Sequence, residues 1–316
     1  MVTCRGQKTA VCAVRGNFDD AQSGVKSIFA TVKPAGNMRF SSANSINIGR
    51  LAPQIAYYFK AYRDLLNAGR ICSGDPVNFV VPTGNFGDIL AGYFAKQMGL
   101  PVGRLVCASN ENNVLSDFFA SGTYDRRRDF HLTTSPSMDI LISSNLERLL
   151  CMLCGAEKTA EMMKSLKEEG AYTLDETTRA ALSCEFWAAF ADDSETQATI
   201  RSYYDKHHYL MDPHTAVGFA VYEKWLQSDA ANEAPTVILS TASPYKFSRT
   251  VLAALGHETS EDEFADMEKL SCKTDTPVPA PLAAVARRDV VHTAICDVND
   301  MPTYVYRKTE EKEWMR

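Results

Sequence analysis

The sequence predicts an α/β fold in which a mainly parallel sheet carries helices on both faces. Runs rich in β-branched and aromatic residues, which favour strands, alternate along the chain with stretches whose apolar residues recur at helical spacing. One such run, residues 77–81, is typical of a buried strand, and a glycine turn and an apolar helix follow it directly. With 316 residues, the chain is long enough for a large core in one or two domains.

The predicted elements follow one another in the order that such a sheet requires. Strands are predicted at residues 10–14, 77–81, 104–108 and 236–240. Helices are predicted at residues 20–32, 49–68, 88–98, 113–121 and 143–153. Because parallel strands need crossover connections, usually helices, this alternation favours helices on both faces of the sheet.

The second half of the chain has a different composition. Residues 157–225 are rich in Ala, Glu, Lys, Met and Leu with apolar spacing near 3.6, which predicts several packed helices. Since residues 236–240 return to a strand pattern, we interpret about 157–230 as a helical insertion within one α/β domain. The tail from residue 270 contains alternating prolines and is expected to be an extended crossover, ending in a charged segment.

Charge and composition exclude several classes of partner. The formal net charge is −6, with 45% hydrophobic and 23% charged residues, so no basic surface for nucleic acid or an anionic membrane is expected. No apolar run reaches the ~18–20 residues of a membrane span, and the first residues contain no signal-peptide pattern. Nine scattered cysteines suit a reduced compartment, so we expect a cytoplasmic protein. The oligomeric state is not determined by the sequence.

The turn after the strand at 77–81 is the first candidate binding site. Pro82 ends the strand, and Thr83-Gly84-Asn85-Phe86-Gly87-Asp88 leads into the next helix. Glycines allow close approach of the backbone to a ligand, and a helix start presents free N–H groups to an anion. The pattern therefore indicates a phosphate cradle, although an ordinary strand-to-helix turn also uses glycine.

Two further segments are candidates for ligand contacts. The polar run from Ser41 to Arg50 opens a helix and can bind a phosphate or carboxylate, although a simple capping role is the favoured interpretation from spacing alone. Thr241 follows the strand at 236–240, where ligands of parallel sheets collect, but a turn stopped by Pro244 fits the same residues equally well.

Metal and hydrolase sites have little support. Cys151 and Cys154 form a lone C-x-x-C in an apolar helix with no second pair. In the run His207 to His214, Asp212 is better explained as the N-cap of a helix that begins at Pro213. No G-x-S-x-G elbow or P-loop lysine is present, so we expect no metal and no such catalytic motif.

Taken together, these segments resemble threonine synthases of the bacterial and fungal type. The resemblance is carried by six motifs in the same order between residues 16 and 247: Gly16-Asn-Phe-Asp-Asp-Ala-Gln22, Asn44-Ser-Ile-Asn-Ile-Gly-Arg50, Pro82-Thr-Gly-Asn-Phe-Gly-Asp88, Thr134-Ser-Pro-Ser-Met-Asp-Ile140 with Ser144-Asn-Leu-Glu-Arg-Leu149, Asp212-Pro-His-Thr-Ala-Val217 and Ser240-Thr-Ala-Ser-Pro-Tyr-Lys-Phe247.

The resemblance implies a fold, a cofactor and a reaction. The fold would be that of type II pyridoxal-phosphate enzymes, like the tryptophan synthase β-subunit, with residues 1–33 ending a small cofactor-side domain and 34–316 forming the large domain. The reaction would convert O-phospho-L-homoserine and water to L-threonine and phosphate. Backbone N–H groups would hold the cofactor phosphate and Thr241 the pyridine nitrogen, with Asn44 and Arg50 on the substrate phosphate. The cofactor-phosphate donors would be Gly84, Asn85, Phe86, Gly87 and Asp88.

One expected element of that family does not occur in the sequence. The family's Schiff-base lysine lies in a segment resembling H-G-P-T-x-A-F-K-D, and no such segment is present. We therefore interpret the chain as lacking an N-terminal part, with no catalytic lysine and with little or no activity alone. Two alternatives remain: a non-catalytic relative that binds a phosphorylated ligand or a partner, and another activity of the same fold, such as a dehydratase or phospholyase.

Overall fold

The computed structural model describes residues 1–6, 9–16, 18–33, 39–45 and 47–310. These residues form two compact units, Met1–Ser42 with Pro277–Arg316, and Ala43–Thr276. The strands are β1 (Cys12–Arg15), β2 (Val77–Pro82), β3 (Val102–Ser109), β4 (Thr123–Asp125), β5 (Ala171–Thr173), β6 (Phe186–Phe190), β7 (Thr236–Ile238) and β8 (Ala294–Asp297).

The helices of the first 155 residues agree closely with the predicted helical stretches. The α-helices of the whole described chain are α1 (Phe18–Thr31), α2 (Ile48–Leu51), α3 (Ile55–Asn67), α4 (Gly87–Gln97), α5 (Val114–Ser121), α6 (Leu146–Cys154), α7 (Ala156–Glu168), α8 (Glu176–Glu185), α9 (Asp193–His207), α10 (Pro213–Leu226), α11 (Ser248–Ala254), α12 (Glu263–Thr274), α13 (Ala280–Val285) and α14 (Met301–Glu310).

The larger unit is built on a four-stranded parallel sheet with the order β6-β3-β2-β7. Every residue of β2 is buried, and alternate side chains enter different clusters. Phe79 and Val81 pack with α3 and α4 residues such as Tyr58 and Leu90, whereas Val80 packs with the cluster that contains Trp225 of α10. The sheet is therefore covered by helices on both faces, which confirms the predicted fold class.

The stretch 157–225 contains the predicted helices but is not purely helical. β6 lies within it and pairs in parallel with β3, from Leu105 opposite Phe186 to Ser109 opposite Phe190. α10, at the end of the stretch, packs over the buried centre of the sheet. This part of the chain thus supplies an edge strand and one covering helix of the main sheet, in addition to the helices that the composition predicts.

The smaller unit joins the two ends of the chain. β1 and β8 pair in parallel, with Cys12 opposite Ala294 and Arg15 opposite Asp297. This pairing groups residues 277–316 with 1–42, whereas the resemblance implies that the tail belongs to a large domain that begins at residue 34. The difference arises because strand pairing over this separation leaves no local signal in the sequence. Among the described residues, no helix is long and apolar enough to cross a membrane.

Candidate active site

Two of the predicted ligand segments leave the sheet at the same edge. β2 and β7 are parallel neighbours, with Asn78 opposite Thr236 and Val80 opposite Ile238. Thr83, just past β2, is buried; its N–H donates to the Ala108 oxygen at 2.7 Å. The Gly84–Asp88 turn and Thr241 thus follow the carboxyl ends of adjacent strands, where ligands of parallel sheets collect.

The turn is anchored in the core by Phe86. This residue adopts a left-handed backbone conformation with φ 63°, which is uncommon outside glycine. Its ring is 1% exposed and lies 5.8 Å from the Phe186 ring and 6.2 Å from the Phe119 ring, measured between centroids. Burial of the ring stabilises a backbone conformation that costs about 1–2 kcal/mol by itself.

The backbone N–H groups of the turn are mostly available to a ligand. In the described part of the chain, those of Gly84, Asn85, Phe86 and Asp88 make no hydrogen bond. The Gly87 N–H donates to Asn85 Oδ1 at 2.9 Å, so a bound anion would compete with this side chain for it. Free N–H groups at the positive end of an eleven-residue helix fit a phosphate group well.

Gly84 is required by a close backbone contact. A Cβ at this position would lie 3.0 Å from Met138 Cα and 3.4 Å from the Ser137 oxygen. The Ser143 hydroxyl also donates to the Gly84 oxygen at 2.8 Å. The segment around Met138 therefore lies directly against the turn and limits its movement.

That covering segment is itself held by a buried carboxylate. Asp139 Oδ1 accepts from Asn110 Nδ2 at 2.7 Å, from Asn112 Nδ2 at 3.0 Å and from the Thr133 hydroxyl at 2.6 Å. Asn110 and Asn112 directly follow β3, so Asp139 ties the covering segment to the end of the neighbouring strand.

A buried Asp–His pair supports the same segment from α10. Asp212 caps the helix and accepts from the His214 N–H at 2.9 Å, and Pro213 is the first helical residue, as predicted. His214 Nδ1 lies 2.9 Å from Asp212 Oδ1, and His214 Nε2 accepts from the Ser137 N–H at 3.2 Å. Since Nε2 is an acceptor, Nδ1 carries the proton. The sequence indicated the cap but not this role of His214.

The segment from Asn44 to Arg50 lies partly beside the turn. Asn47 is the N-cap of α2 and accepts from the Gly49 N–H at 2.9 Å, which confirms the predicted capping role of this segment. The position of a Cβ on Gly87 would be 3.4 Å from Ser45 Cβ, so Ser45, the neighbour of Asn44, lies close beside the turn. Arg50 is exposed and makes no ion pair or hydrogen bond to any described side chain.

Thr241 is exposed at the end of the sheet, with its hydroxyl available to a ligand. Its hydroxyl makes no hydrogen bond to another described residue. Next to it, the Ser240 hydroxyl accepts from the Thr215 hydroxyl at 3.3 Å. Ser243 caps the short 3-10 helix Pro244–Phe247, so the predicted turn at Pro244 is also present.

Asp88 is the titratable group of the turn. The Tyr58 hydroxyl donates to its backbone oxygen at 2.7 Å and lies 3.4 Å from its Oδ1. Burial raises the pKa of Asp88 to about 6, although the Tyr58 hydrogen bond acts in the opposite direction. The same burial, with the nearby Asp88 charge, raises the pKa of Tyr58 well above its usual value.

Replacing Asp88 with asparagine is expected to stabilise the protein above pH 6 by about 2 kcal/mol. In the unfolded chain the carboxyl titrates near pH 4, so the neutral form stabilises the folded state at low pH and this contribution is lost as the pH rises through 6. The asparagine still accepts from Tyr58 but never ionises. Urea denaturation at pH 4, 6 and 7.5 should show the difference between variant and parent growing with pH.

An exposed control separates this effect from a general change in charge. Asp205→Asn removes the same charge from a helix surface. A stability difference for Asp88→Asn that is equal at all three pH values would contradict the prediction.

Within the described ranges, no cluster of three or more His, Cys, Asp or Glu residues could hold a metal ion.

Comparison with known proteins shows which family the chain resembles. Residues 215–290 match the family model "Threonine synthase, C-terminal". Threonine synthase of Eremothecium gossypii is 39% identical over 272 residues, covering 81% of this chain and 52% of its own length. That of Saccharomyces cerevisiae is 36% identical over 305 residues, covering 92% of this chain and 59% of its own length.

Solved structures agree over nearly the whole chain. Yeast threonine synthase aligns with 98% of this chain and 61% of its own, with a TM-score of 0.80 and 33% identity. The structure titled as PLP-bound threonine synthase from Brucella melitensis aligns with 96% of this chain and 60% of its own, with a TM-score of 0.77 and 38% identity. The chain is thus similar to threonine synthases over nearly its whole length.

The similarity to these structures confirms the fold as that of type II pyridoxal-phosphate enzymes. The chain spans about half the length of the two fungal threonine synthases. A human protein named threonine synthase-like 1 is also similar, with 40% identity over 251 residues, which cover 77% of this chain and 33% of that protein.

Proposed function

We propose that this chain forms the phosphate-binding part of a pyridoxal-phosphate-dependent threonine synthase. The observation that carries the proposal is the turn at the end of β2, with free N–H groups of Gly84, Asn85, Phe86 and Asp88 at the start of α4. The proposed reaction is that of O-phospho-L-homoserine with water to give L-threonine and phosphate. When bound, the cofactor would withdraw electrons from the substrate while protons leave its carbon chain.

Each predicted residue has a role in this proposal that suits its position. The Gly84–Asp88 turn binds the cofactor phosphate, and rotation of the Asn85 side chain frees the Gly87 N–H as a further donor. The Thr241 hydroxyl, exposed at the same sheet edge, hydrogen-bonds the pyridine nitrogen. Asn44 and the exposed Arg50 guanidinium bind the substrate phosphate, because a guanidinium offers paired donors to a dianion.

The lysines near the motifs do not replace the missing Schiff-base segment. Lys96 pairs with Glu185 at 2.6 Å and lies in the last turn of α4, on the order of 14 Å from the helix start at 1.5 Å per residue. Lys33 and Lys246 are exposed, so neither lies in a buried site that would enclose a Schiff base. We therefore propose that these 316 residues alone do not complete the reaction.

The 316-residue chain, treated with pyridoxal phosphate and borohydride, is expected to show no single specifically labelled lysine. It should also form no threonine from O-phosphohomoserine. Peptide mapping after reduction and a threonine assay measure both outcomes. A specifically labelled lysine together with threonine formation would overturn the inactive assignment and leave the reaction assignment standing.

A second candidate function is that of a non-catalytic relative that binds a phosphorylated ligand or a protein partner. The same turn supports it, because its N–H groups that are unpaired in the described part of the chain can hold a phosphate without covalent chemistry. Three results together would support this candidate: a monodisperse chain with a sharp, reversible melt, micromolar affinity for pyridoxal phosphate, and no turnover when the lysine-containing segment is supplied in trans.

Assays with serine and threonine as substrates test for a dehydratase.

A further inference from the structure

The side chain of Asn145 lies between the two phosphate-binding segments of the proposed site. Asn145 is fully buried at the start of α6. Its Nδ2 donates to the Asn85 backbone oxygen at 2.8 Å and to the Ser45 hydroxyl at 3.0 Å. Its backbone N–H donates to the same Asn85 oxygen at 3.1 Å. One residue thus connects the turn to the segment that contains Asn44.

Arg148, one helical turn further along α6, fixes the orientation of this carboxamide. Its guanidinium donates to Asn145 Oδ1 and, at 2.8 Å, to the backbone oxygen of Ser45. Because a guanidinium can only donate, the carboxamide oxygen faces Arg148 and its amino group faces Asn85 and Ser45. Rotation of the side chain would leave several buried polar groups without partners.

The two segments also lie side by side at Gly87 and Ser45. A Cβ on Gly87 would lie 3.4 Å from Ser45 Cβ and 3.6 Å from Asn145 Nδ2. The Ser45 hydroxyl donates in turn to Asn44 Oδ1 at 3.2 Å. The connection therefore reaches from the cofactor turn to a side chain that would bind the substrate phosphate.

From these contacts, and resting on the proposed function, we propose that Asn145 is a positioning residue. It holds the Gly84–Asp88 turn and the Asn44–Ser45 segment as one anion-binding unit, so a change at Ser45 reaches the turn through the Asn145 amide. Asn145 itself contacts neither phosphate in this assignment. Its effect is to fix the distance and orientation between the two subsites.

Hydrogen exchange of the ligand-free chain tests the connection directly. Asn145→Ala is expected to speed exchange in peptides covering residues 83–90 and 43–50, and Ser45→Ala to speed exchange in 83–90. Asn78→Ala is the matched control, because Asn78 is also a fully buried amide, bonded to Asn232 at 2.8 Å, at the opposite end of β2. Faster exchange confined to α6, or equal to that of Asn78→Ala, would overturn the proposal.

Titration with pyridoxal phosphate, followed by protein fluorescence, tests the consequence for binding. Asn145→Ala should raise the Kd about tenfold and Ser45→Ala about threefold, as loss of buried hydrogen bonds predicts. In the Asn145→Ala background, Ser45→Ala should have no further effect, because the connection is already lost. An equal effect of Ser45→Ala in both backgrounds would overturn the proposal. A parent chain without affinity would contradict the proposed function, and hydrogen exchange would still decide the role of Asn145.

Discussion

Replacing Phe86 with alanine is expected to lower the free energy of unfolding by about 3–5 kcal/mol and to abolish pyridoxal phosphate binding at the turn. The ring is 1% exposed and packs beside Phe119 and Phe186, so its removal leaves a cavity in the core. The alanine keeps the cost of the left-handed backbone at φ 63° but loses the burial that stabilises it. The turn should then relax, and its N–H groups should no longer converge. Urea denaturation and a fluorescence titration measure the two effects.

Two control variants separate the role of the ring in the turn from its role in the core. Phe86→Leu keeps an apolar anchor, so we expect a loss of about 1.5 kcal/mol and retained binding. Phe118→Ala removes a ring of the same cluster, also fully buried and packed against Phe119, but outside the turn. It should destabilise the protein as much as Phe86→Ala while leaving the affinity for the cofactor unchanged. Equal affinities of Phe86→Ala and Phe118→Ala would show that the Phe86 ring does not hold the turn.

The strand, turn and helix from β2 to α4 were predictable because their determinants lie within about twenty residues. A buried strand, Pro82, Gly84 and an apolar helix follow one another, and α4 begins at Gly87, one residue from the predicted start at 88. The Asp212 cap is similar, since the side chain and the N–H groups that it accepts from are two and three residues apart. Short-range patterns of this kind are properties of the local sequence.

The missed features depend on contacts between distant parts of the chain. β6 is a strand because it pairs with β3, although its Phe-Trp-Ala-Ala-Phe sequence lies between helices in an alanine-rich region. Asn145 is separated from Asn85 by 60 residues and from Ser45 by 100 residues, so no spacing in the sequence indicates that they meet. The resemblance to threonine synthases drew attention to the motifs that contain these residues. The hydrogen bonds from Asn145 to Asn85 and Ser45 are seen only in the folded structure.

Replacing Asp212 with alanine is expected to cost about 3–5 kcal/mol, because one buried carboxylate satisfies several groups at once. Asp212 is fully buried and accepts from the backbone N–H groups of His214 and Thr215, from the His214 ring and from the Thr215 hydroxyl. Without it, α10 loses its N-cap and the imidazole loses the acceptor that orients it towards the Ser137 N–H. The segment over Gly84 should then loosen, and cofactor affinity should fall together with stability.

Asp212→Asn provides a milder variant with a defined pH dependence. Its carboxamide oxygen can still cap α10, so we expect a loss of only about 1–2 kcal/mol at pH 7. Burial opposes ionisation of Asp212, yet hydrogen bonds from His214 and Thr215 hold the pKa of this carboxyl below its usual value. The carboxylate therefore stabilises the folded state above about pH 4, and this contribution is lost as the pH falls through the lower folded-state pKa. Denaturant unfolding at pH 7, 4 and 3 should show the gap between the parent and Asp212→Asn narrowing on acidification. A gap that widens below pH 4 would mean that the Asp–His pair does not stabilise the ionised carboxylate, and the support of the covering segment would have to come from Asp139 alone.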